Sequence, residues 1–382
     1  MSLLEYRNQI DELDAKLLKL FEERMVLAKS IADYKKANGI AVLDAGRERE
    51  KLASITKMAS SDMAEYDRNL FAVMMDLSKA YQRRLNRTES PITDEIKAAI
   101  EAGTNKMLPK HPTVACQGVE GAYSQIAADK IFQKNANIVY LQNFEGVFAA
   151  VDSGMCKYGV LPLENSTAGS VNRIYDLMMK YNFYIVKSMR LKVEHNLLVK
   201  EGVKAEDIEE IFSHEQAISQ CTEFLKNFPN AKVTVVENTA VAAKMVANSE
   251  RKGVAAISSR DCAGLYGLKI LKSTIQDKGN NFTRFICISK ELEIYPGSDR
   301  TSIMMAINHN PGELYKILSR FYALGINLTK LESRPMPDRN FEFMFYFDLE
   351  TSIYSEEFMQ IVSDLSDSCE QFKYLGSYVE IV

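Results

Sequence analysis

The chain has 382 residues, enough for two or three domains each with its own core. Its 47 basic residues nearly balance 51 acidic ones, so neither nucleic acid nor an anionic membrane surface is expected as a partner. No charged-then-apolar leader opens it and no stretch approaches a membrane span, which leads to the expectation of a cytoplasmic protein. Six cysteines and four histidines are scattered singly, an arrangement that suits neither a disulfide framework nor a metal site. No metal and no cofactor is therefore expected, and the chemistry falls to Arg, Lys, amides, hydroxyls and carboxylates.

Residues 1 to about 86 contain no proline and keep a helical period throughout. Leu3, Ile10, Leu17 and Ile31 form one seven-residue row, and Tyr6, Leu13, Leu20, Leu27 and Tyr34 another. They predict one long helix to about Lys36, followed by helices over Asp44 to Met58 and Asp62 to Arg84. Arg24 falls in the row of Leu17 and Ile31, where the seam wants an apolar side chain, and a buried charge is retained only when paired. Lys35 lies on nearly the same face, roughly 16 Å along the axis, a gap that two long side chains can close around a small dianion. Arg7 lies roughly 26 Å from Arg24 and is therefore expected from a second chain. Arg47 and the i,i+4 pair Ser78/Gln82 add further polar groups. The pattern alone equally fits a solvated coiled-coil dimer with Arg24 paired to a carboxylate.

From Thr88 to Pro112 the apolar pattern weakens and prolines appear at 91, 109 and 112, with a short helix predicted over Asp94 to Ala102; this reads as a linker. From Thr113 short β-branched runs alternate with helical stretches, an α/β pattern. Within it, Gly159-Val-Leu-Pro-Leu163 runs into Glu164-Asn-Ser-Thr-Ala-Gly-Ser170 and then a predicted helix, Val171 to Tyr181. A buried strand that delivers amides, hydroxyls and glycine to a helix start describes a site for a small anion. Additional strand near Tyr184 to Val199 and Lys269 to Ile288 suits two lobes joined by crossing strands. Beyond Tyr295 the order is strand (Ser302 to Ile307), helix (Gly312 to Ala323), strand (Ile326 to Arg334), strand (Phe341 to Leu349), helix (Glu356 to Asp367), strand (Tyr374 to Ile381). That βαββαβ order is ferredoxin-like.

Three resemblances follow from these residues. The array Arg7, Arg24, Lys35, Asp44, Arg47, Glu48, Ser78, Gln82 resembles the active-site set of the all-helical chorismate mutases. It implies that arginines, one from a partner subunit, hold the chorismate carboxylates, with Arg47 and Ser78 completing those pockets. Lys35 and Gln82 would bond the ether oxygen, Glu48 would hold the ring hydroxyl and Asp44 would orient a helix start. Such a pericyclic rearrangement needs a folded substrate and positive charge at the breaking C–O bond. The segments Gly118 to Ser124, Leu161 to Val171, Phe212 to Ala217, Ala256 to Ser259 with Tyr266 to Leu268, and Asn280-Asn-Phe-Thr-Arg-Phe285 resemble, in order, the motifs of prephenate dehydratase.

That second resemblance implies Thr283 as donor to the leaving hydroxyl, Asn165, Ser166, Thr167, Ser213 and Gln216 as cleft lining, and Arg284 as a counter-charge for a prephenate carboxylate. His214 stays open between catalysis and capping. The sequence departs from the family with Val119, Ala122 and Glu215 where Pro, Thr or Ser, and Pro are common. Asn310-Pro-Gly-Glu-Leu314 and Leu331-Glu-Ser-Arg-Pro335 resemble the phenylalanine-binding motifs of ACT regulatory domains, which implies Asn310, Gly312, Leu314, Glu332, Ser333 and Arg334 as the allosteric site; Glu313 replaces a small residue there.

The expected layout is an all-α mutase domain (1–88), a linker (89–112), a two-lobed, periplasmic-binding-protein-like α/β dehydratase domain (113–290) and a ferredoxin-like ACT domain (300–382). The combination resembles the bifunctional chorismate mutase/prephenate dehydratases. Its small-molecule partners would be chorismate, prephenate and the effector phenylalanine, and its assembly a homodimer or a higher homo-oligomer. A binding protein without chemistry, and a dehydratase whose helical block only dimerises, are the rival readings.

Overall fold

The computed structural model describes residues 2–40, 44–85, 90–103, 107–336, 342–369 and 371–382. The expected mutase–linker boundary near residue 88 and the expected strand start at Phe341 lie outside the described residues. The chain divides into two compact units, Met1–Thr93 with Val362–Ser368, and Asp94–Ile361 with Cys369–Val382. Among the described residues no helix is long and apolar enough to cross a membrane, and no cluster of His, Cys, Asp or Glu is arranged to hold a metal ion.

The first unit is helical. α1 (Leu3–Ala37) opens on a reciprocal cap, with Ser2 Oγ accepting from Glu5 N–H at 3.3 Å and Glu5 accepting from Ser2 N–H at 2.6 Å. Lys35 and Lys36 sit in its last turn, where the helix dipole favours cations. α2 (Ala45–Met58) is capped by Asp44, which accepts from Arg47 N–H at 2.9 Å. α3 (Ala64–Leu85) packs on both. Only the small Ala28 and Ala32 of α1 are buried, whereas Leu3, Tyr6, Ile10, Leu13, Leu17, Leu20, Leu27, Ile31 and Tyr34 stay exposed. An apolar row left bare along one helix is the mark of an association surface.

The second unit begins in α4 (Pro91–Gly103) and then builds a first lobe: β1 (Thr113–Gln117), α5 (Tyr123–Ile131), β2 (Asn137–Leu141), α6 (Phe144–Asp152), β3 (Tyr158–Asn165), β4 (Gly169–Ser170), α7 (Asn172–Lys180) and β5 (Tyr184–Lys192). A second lobe follows: β6 (Asn196–Val199), β7 (Glu210–Ser213), α8 (Glu215–Ser219), α9 (Thr222–Leu225), β8 (Lys232–Val235), α10 (Thr239–Asn248), β9 (Val254–Ser258), α11 (Arg260–Leu265) and β10 (Lys269–Lys272). β11 (Phe282–Ser289) returns to the first lobe between β3 and β5. The crossings from β5 to β6 and from β10 to β11 are the two strand connections expected between lobes.

The chain ends with β12 (Arg300–Ile307), α12 (Glu313–Ala323), β13 (Asn327–Pro335), β14 (Phe343–Glu350), α13 (Glu356–Ser368), β15 (Phe372–Tyr378) and β16 (Glu380–Ile381). The sheet order β13-β14-β12-β15, all antiparallel, is the ferredoxin-like arrangement of a βαββαβ chain. The last strand corrects the sequence reading, which ran it unbroken to Ile381. β16 leaves this sheet and pairs in parallel with β5 of the first lobe, where Glu380 meets the cations Arg190 at 2.8 Å and Arg284 at 3.0 Å.

One face of the βαββαβ sheet and the first lobe form a single core. Met304, Met344, Tyr346, Leu375 and Tyr378 pack with Leu163, Ile174, Tyr175, Met178 and Ile185, and the rings of Tyr175 and Tyr346 meet edge-on at 5.1 Å. Gly376 permits the closest approach, since a Cβ there would lie 2.4 Å from the Ile185 carbonyl oxygen and its φ is +124°.

Candidate active sites

In the helical unit, Arg24 donates to Ser78 Oγ and to the Met74 carbonyl at 3.1 Å, and Ser78 Oγ in turn donates to the same carbonyl at 2.8 Å. Ser78 and Gln82, one turn apart on α3, are 5% and 7% exposed. The Gln82 Oε1 is buried with no hydrogen-bond partner among the described residues. A buried amide oxygen without a donor costs free energy in the folded chain, and a ligand group relieves it. Glu48 pairs with Lys79 at 2.8 Å, a lysine the sequence reading did not single out, and Arg47 is exposed beside Glu50. Asp44 serves as the α2 cap. Lys35 is half-buried on the last turn of α1. Arg7 and Arg24 lie on one unbroken helix, so their axial separation of roughly 26 Å holds and one chain does not bring them together.

In the second unit a cleft of about 520 Å³ opens between the lobes, lined in part by Tyr123, Asn165, Ser170, His195, Gln216 and Thr283. Among the described residues its walls carry one carboxylate, Glu237, and no lysine or arginine. Positive potential comes instead from helix starts. α5, α7 and α10 each begin on the cleft wall, through Ala122 to Ser124, Ser170 with Val171, and Asn238 with Thr239. Each such terminus carries about half a positive charge and unpaired N–H groups. α5 and α7 have no side-chain cap, which for α5 follows from Ala122 at its N-cap.

Thr283 sits at the start of β11, paired in register with Asn165 on β3. Asn165 Oδ1 accepts from the backbone N–H of Thr167 and of Ala168, both at 3.0 Å, so its amide orientation is fixed by groups that cannot turn over. Nδ2 therefore faces Thr283 Oγ1 at 2.9 Å and Asn281 Oδ1 at 2.8 Å. An amide nitrogen has no lone pair to offer, so Thr283 accepts this bond and keeps its own proton. That proton has no acceptor among the described residues.

The other expected residues divide. Gln216 lines the cleft, and so does His214, whose Nδ1 caps α8 by accepting from Gln216 N–H at 3.3 Å while burial holds the imidazole below its usual range. Ser213 is fully buried and donates to the Ile257 carbonyl at 2.8 Å. Ser166 bonds the backbone of Asn280 and Phe282 on a neighbouring pocket, and Thr167 lines a smaller adjoining one.

Arg284 is a correction. Strand alternation turns it away from Thr283, and its guanidinium, 7% exposed, bonds Asp348, Glu380 at 3.0 Å, Glu164 at 3.3 Å and the Tyr378 hydroxyl at 2.7 Å. Burial opposes its charge, but the Tyr378 oxygen and the Asp348 carboxylate outweigh that and raise its pKa. Its charge is already balanced inside the protein.

Missed by the sequence reading were Tyr123, His195, Gln220 and Asn238. Asn238 was legible as a cap before an apolar run. His195 had no local signal; it is 3% exposed, burial lowers its pKa, and its Nδ1 is buried with no partner among the described residues.

The residues read as the effector site also divide. β13 alternates, with Lys330, Glu332 and Arg334 half-buried against the first lobe and Leu331, Ser333 and Pro335 exposed on the other face. Glu332 accepts from Ser170 Oγ at 2.5 Å, Lys330 reaches Glu164 and Ser170 at 2.8 Å, and Arg334 bonds Asp176 of α7 at 3.0 and 3.3 Å. Lys373 caps the far end of α7 through the Met179 carbonyl at 2.9 Å. One strand thus does not offer Glu332, Ser333 and Arg334 to a single ligand. Gly312, with φ +86°, is the left-handed start of α12 beside exposed Asn310 and half-buried Leu314, and Glu313 is tied to Lys316 at 2.9 Å.

Residues 6–83 match the chorismate mutase type II family and residues 114–293 match prephenate dehydratase. A bifunctional chorismate mutase/prephenate dehydratase of Aquifex aeolicus is 33% identical over 377 residues, covering 98% of this chain and 97% of that protein. The protein of the same description from Escherichia coli is 30% identical over 387 residues, covering 98% and 96%. The prephenate dehydratase of Arthrobacter aurescens, solved in complex with L-Phe, superposes with a TM-score of 0.64 at 25% identity over 70% of this chain and 89% of that one.

Proposed function

Because the chain belongs to the bifunctional chorismate mutase/prephenate dehydratases, we propose that its two units convert chorismate to prephenate and prephenate to phenylpyruvate, with loss of water and carbon dioxide. The observation that carries the second step is the Thr283 hydroxyl, oriented by Asn165 with its proton uncommitted, in a cleft walled by helix starts. The dianionic substrate places its carboxylates at those N–H groups. Thr283 donates a hydrogen bond to the departing hydroxyl while the ring carboxylate leaves as carbon dioxide. Aromatisation supplies the driving force, so stabilising the hydroxide is what remains for the protein. A threonine is too weak an acid to surrender its proton fully.

For the first step, Arg24 and Ser78 hold one carboxylate of chorismate, Lys35 and Gln82 take the ether oxygen, Glu48 the ring hydroxyl, and Arg47 the rim of the pocket. Arg7 reaches this site from a second copy, whose α1 covers the exposed row from Leu3 to Tyr34; the working assembly is therefore at least a homodimer. Gln82→Glu tests the assignment. A carboxyl buried there stays protonated only as pH falls, and its ionised form repels the oxygen that becomes negative. Mutase activity is expected to move to acid pH with dehydratase activity unchanged; an unaltered mutase profile contradicts the placement of Gln82.

Phenylalanine inhibits through the βαββαβ region, read as an ACT domain, whose ligand site comprises Asn310, Gly312, Leu314 and Ser333. What supports this is the grip of Lys330, Glu332, Arg334 and Lys373 on Ser170 and on the middle and far end of α7, the helix that starts on the cleft wall. In the full-length chain Arg334→Ala is expected to leave phenylalanine binding, followed by calorimetry, within about 3-fold and to weaken inhibition of the dehydratase by roughly 10-fold, a coupling of ordinary size. Loss of binding itself would return Arg334 to the effector pocket.

A further inference from the structure

We propose that Lys79 is a positioning residue for the mutase step, which neutralises Glu48, occupies one of its carboxylate oxygens and leaves the other for the ring hydroxyl of chorismate. The inference rests on the reading of Glu48 given above. It starts from a difficulty of charge. Chorismate is a dianion, and a carboxylate placed beside it repels it unless a cation cancels that field at close range. Arg47, the neighbour of Glu48 in sequence, does not do so, because its exposed side chain lies against Glu50 at 3.5 Å. Among the described residues the one cation within ion-pair distance of Glu48 is Lys79, whose Nζ lies 2.8 Å from Oε1.

The period of α3 puts that cation in place. At about 100° per residue, Gln82 stands roughly 40° round the helix from Ser78, Lys79 roughly 60° beyond Gln82, and Asp76 roughly 60° beyond Lys79. Ser78 and Gln82 are the buried pair, and Arg24 of α1 meets Ser78, so Lys79 stands on the flank of that face, where α2 delivers Glu48. Asp76 holds the ammonium as well, at 2.8 Å. A lysine gripped by two carboxylates does not swing away as a free surface lysine does. Its side chain is 16% exposed, so water and salt screen the pair less than an open surface pair. Glu48 also lies in the first turn of α2, where the helix start favours its ionised form.

The two oxygens of Glu48 thus have different tasks. Oε1 accepts from Lys79, and Oε2 has no partner among the described residues, so it is the acceptor left for a hydroxyl. An ionised acceptor makes the stronger bond to that hydroxyl. The charge of Lys79 lets it do so without repelling the two carboxylates that Arg24 and the other cations hold. Lys79 acts through Glu48 and meets no atom of the substrate.

The test is a double-mutant cycle on the full-length chain, with chorismate as substrate. Lys79→Met keeps the length of the stem and removes the charge. It is expected to raise mutase KM by roughly 10- to 30-fold, the scale of one interaction with a charged group, with kcat within about 3-fold, because an uncancelled carboxylate opposes bound chorismate and its transition state alike. Lys79→Arg keeps the charge on a bulkier head and should hold kcat/KM within about 3-fold of the parent chain. Dehydration of prephenate should be unaffected in every variant. In a Glu48→Gln background no carboxylate is left to cancel, and Lys79→Met should leave KM where it stands. An equal rise in that background, or a loss shared by Lys79→Arg, overturns the proposal by making Lys79 a substrate ligand or a prop of the helix pair. A loss carried by kcat overturns it too, by placing the ammonium at the reacting ether oxygen. Normal mutase activity in Glu48→Ala overturns the reading of Glu48 and this one with it, whereas a large loss there beside an inert Lys79→Met removes Lys79 alone.

Discussion

Thr283→Ala is expected to lower dehydratase kcat by about 10²- to 10³-fold, the usual loss when one preorganised donor to developing negative charge is removed. Chorismate is still consumed, and prephenate accumulates in place of phenylpyruvate. The size follows from the surroundings. Among the described residues the cleft walls carry no lysine or arginine to take over, and in the proposed pose the helix starts of α5, α7 and α10 hold the substrate's carboxylates. KM should change little, because the lost hydrogen bond strengthens only as the C–O bond breaks. Thr283→Ser, which keeps an acceptor for Asn165 and a proton to donate, should recover most of the rate. Phenylpyruvate formation by Thr283→Ala at a near-normal rate would remove Thr283 from the chemistry.

Arg284→Met is expected to act on stability. The guanidinium is the shared partner of Asp348 and Glu380, whose side chains are 1% and 6% exposed, and Asp348 also accepts from the Ser302 and Tyr346 hydroxyls. Removing the cation leaves two buried carboxylates without it, a loss on the order of 3–5 kcal/mol. A fall of that size in the urea unfolding free energy, with KM for prephenate changed less than about 3-fold while the fold persists, is the expected result. Undiminished stability together with a large rise in KM would place Arg284 on the substrate after all.

The two kinds of residue differ in how legible they are. α1 was readable because its apolar rows recur every seven residues, and the run from Glu164 to Ser170 because amides and hydroxyls cluster where a strand ends. Arg284 looked like a ligand because it adjoins Thr283 in a motif, yet its neutralising partners Asp348 and Glu380 lie 64 and 96 positions later. Gln220, whose side chain bonds Thr167 and Asn281, is separated from them by 53 and 61 positions, and no local pattern announces those contacts. The division of Glu332 and Arg334 from Ser333 was, by contrast, available from strand periodicity, which puts alternate side chains on opposite faces. The departure of β16 to the first lobe depends on Glu380 finding Arg190 and Arg284, and nothing within the final strand signals it.

The most direct test is a progress curve. Purified full-length chain is incubated with chorismate alone, and chorismate, prephenate and phenylpyruvate are followed together. Prephenate is expected to rise and then fall as phenylpyruvate appears in equal amount to the chorismate consumed, without added metal or cofactor. Chorismate left unchanged, or prephenate that accumulates and is never converted, would contradict the assignment of two consecutive activities to this chain.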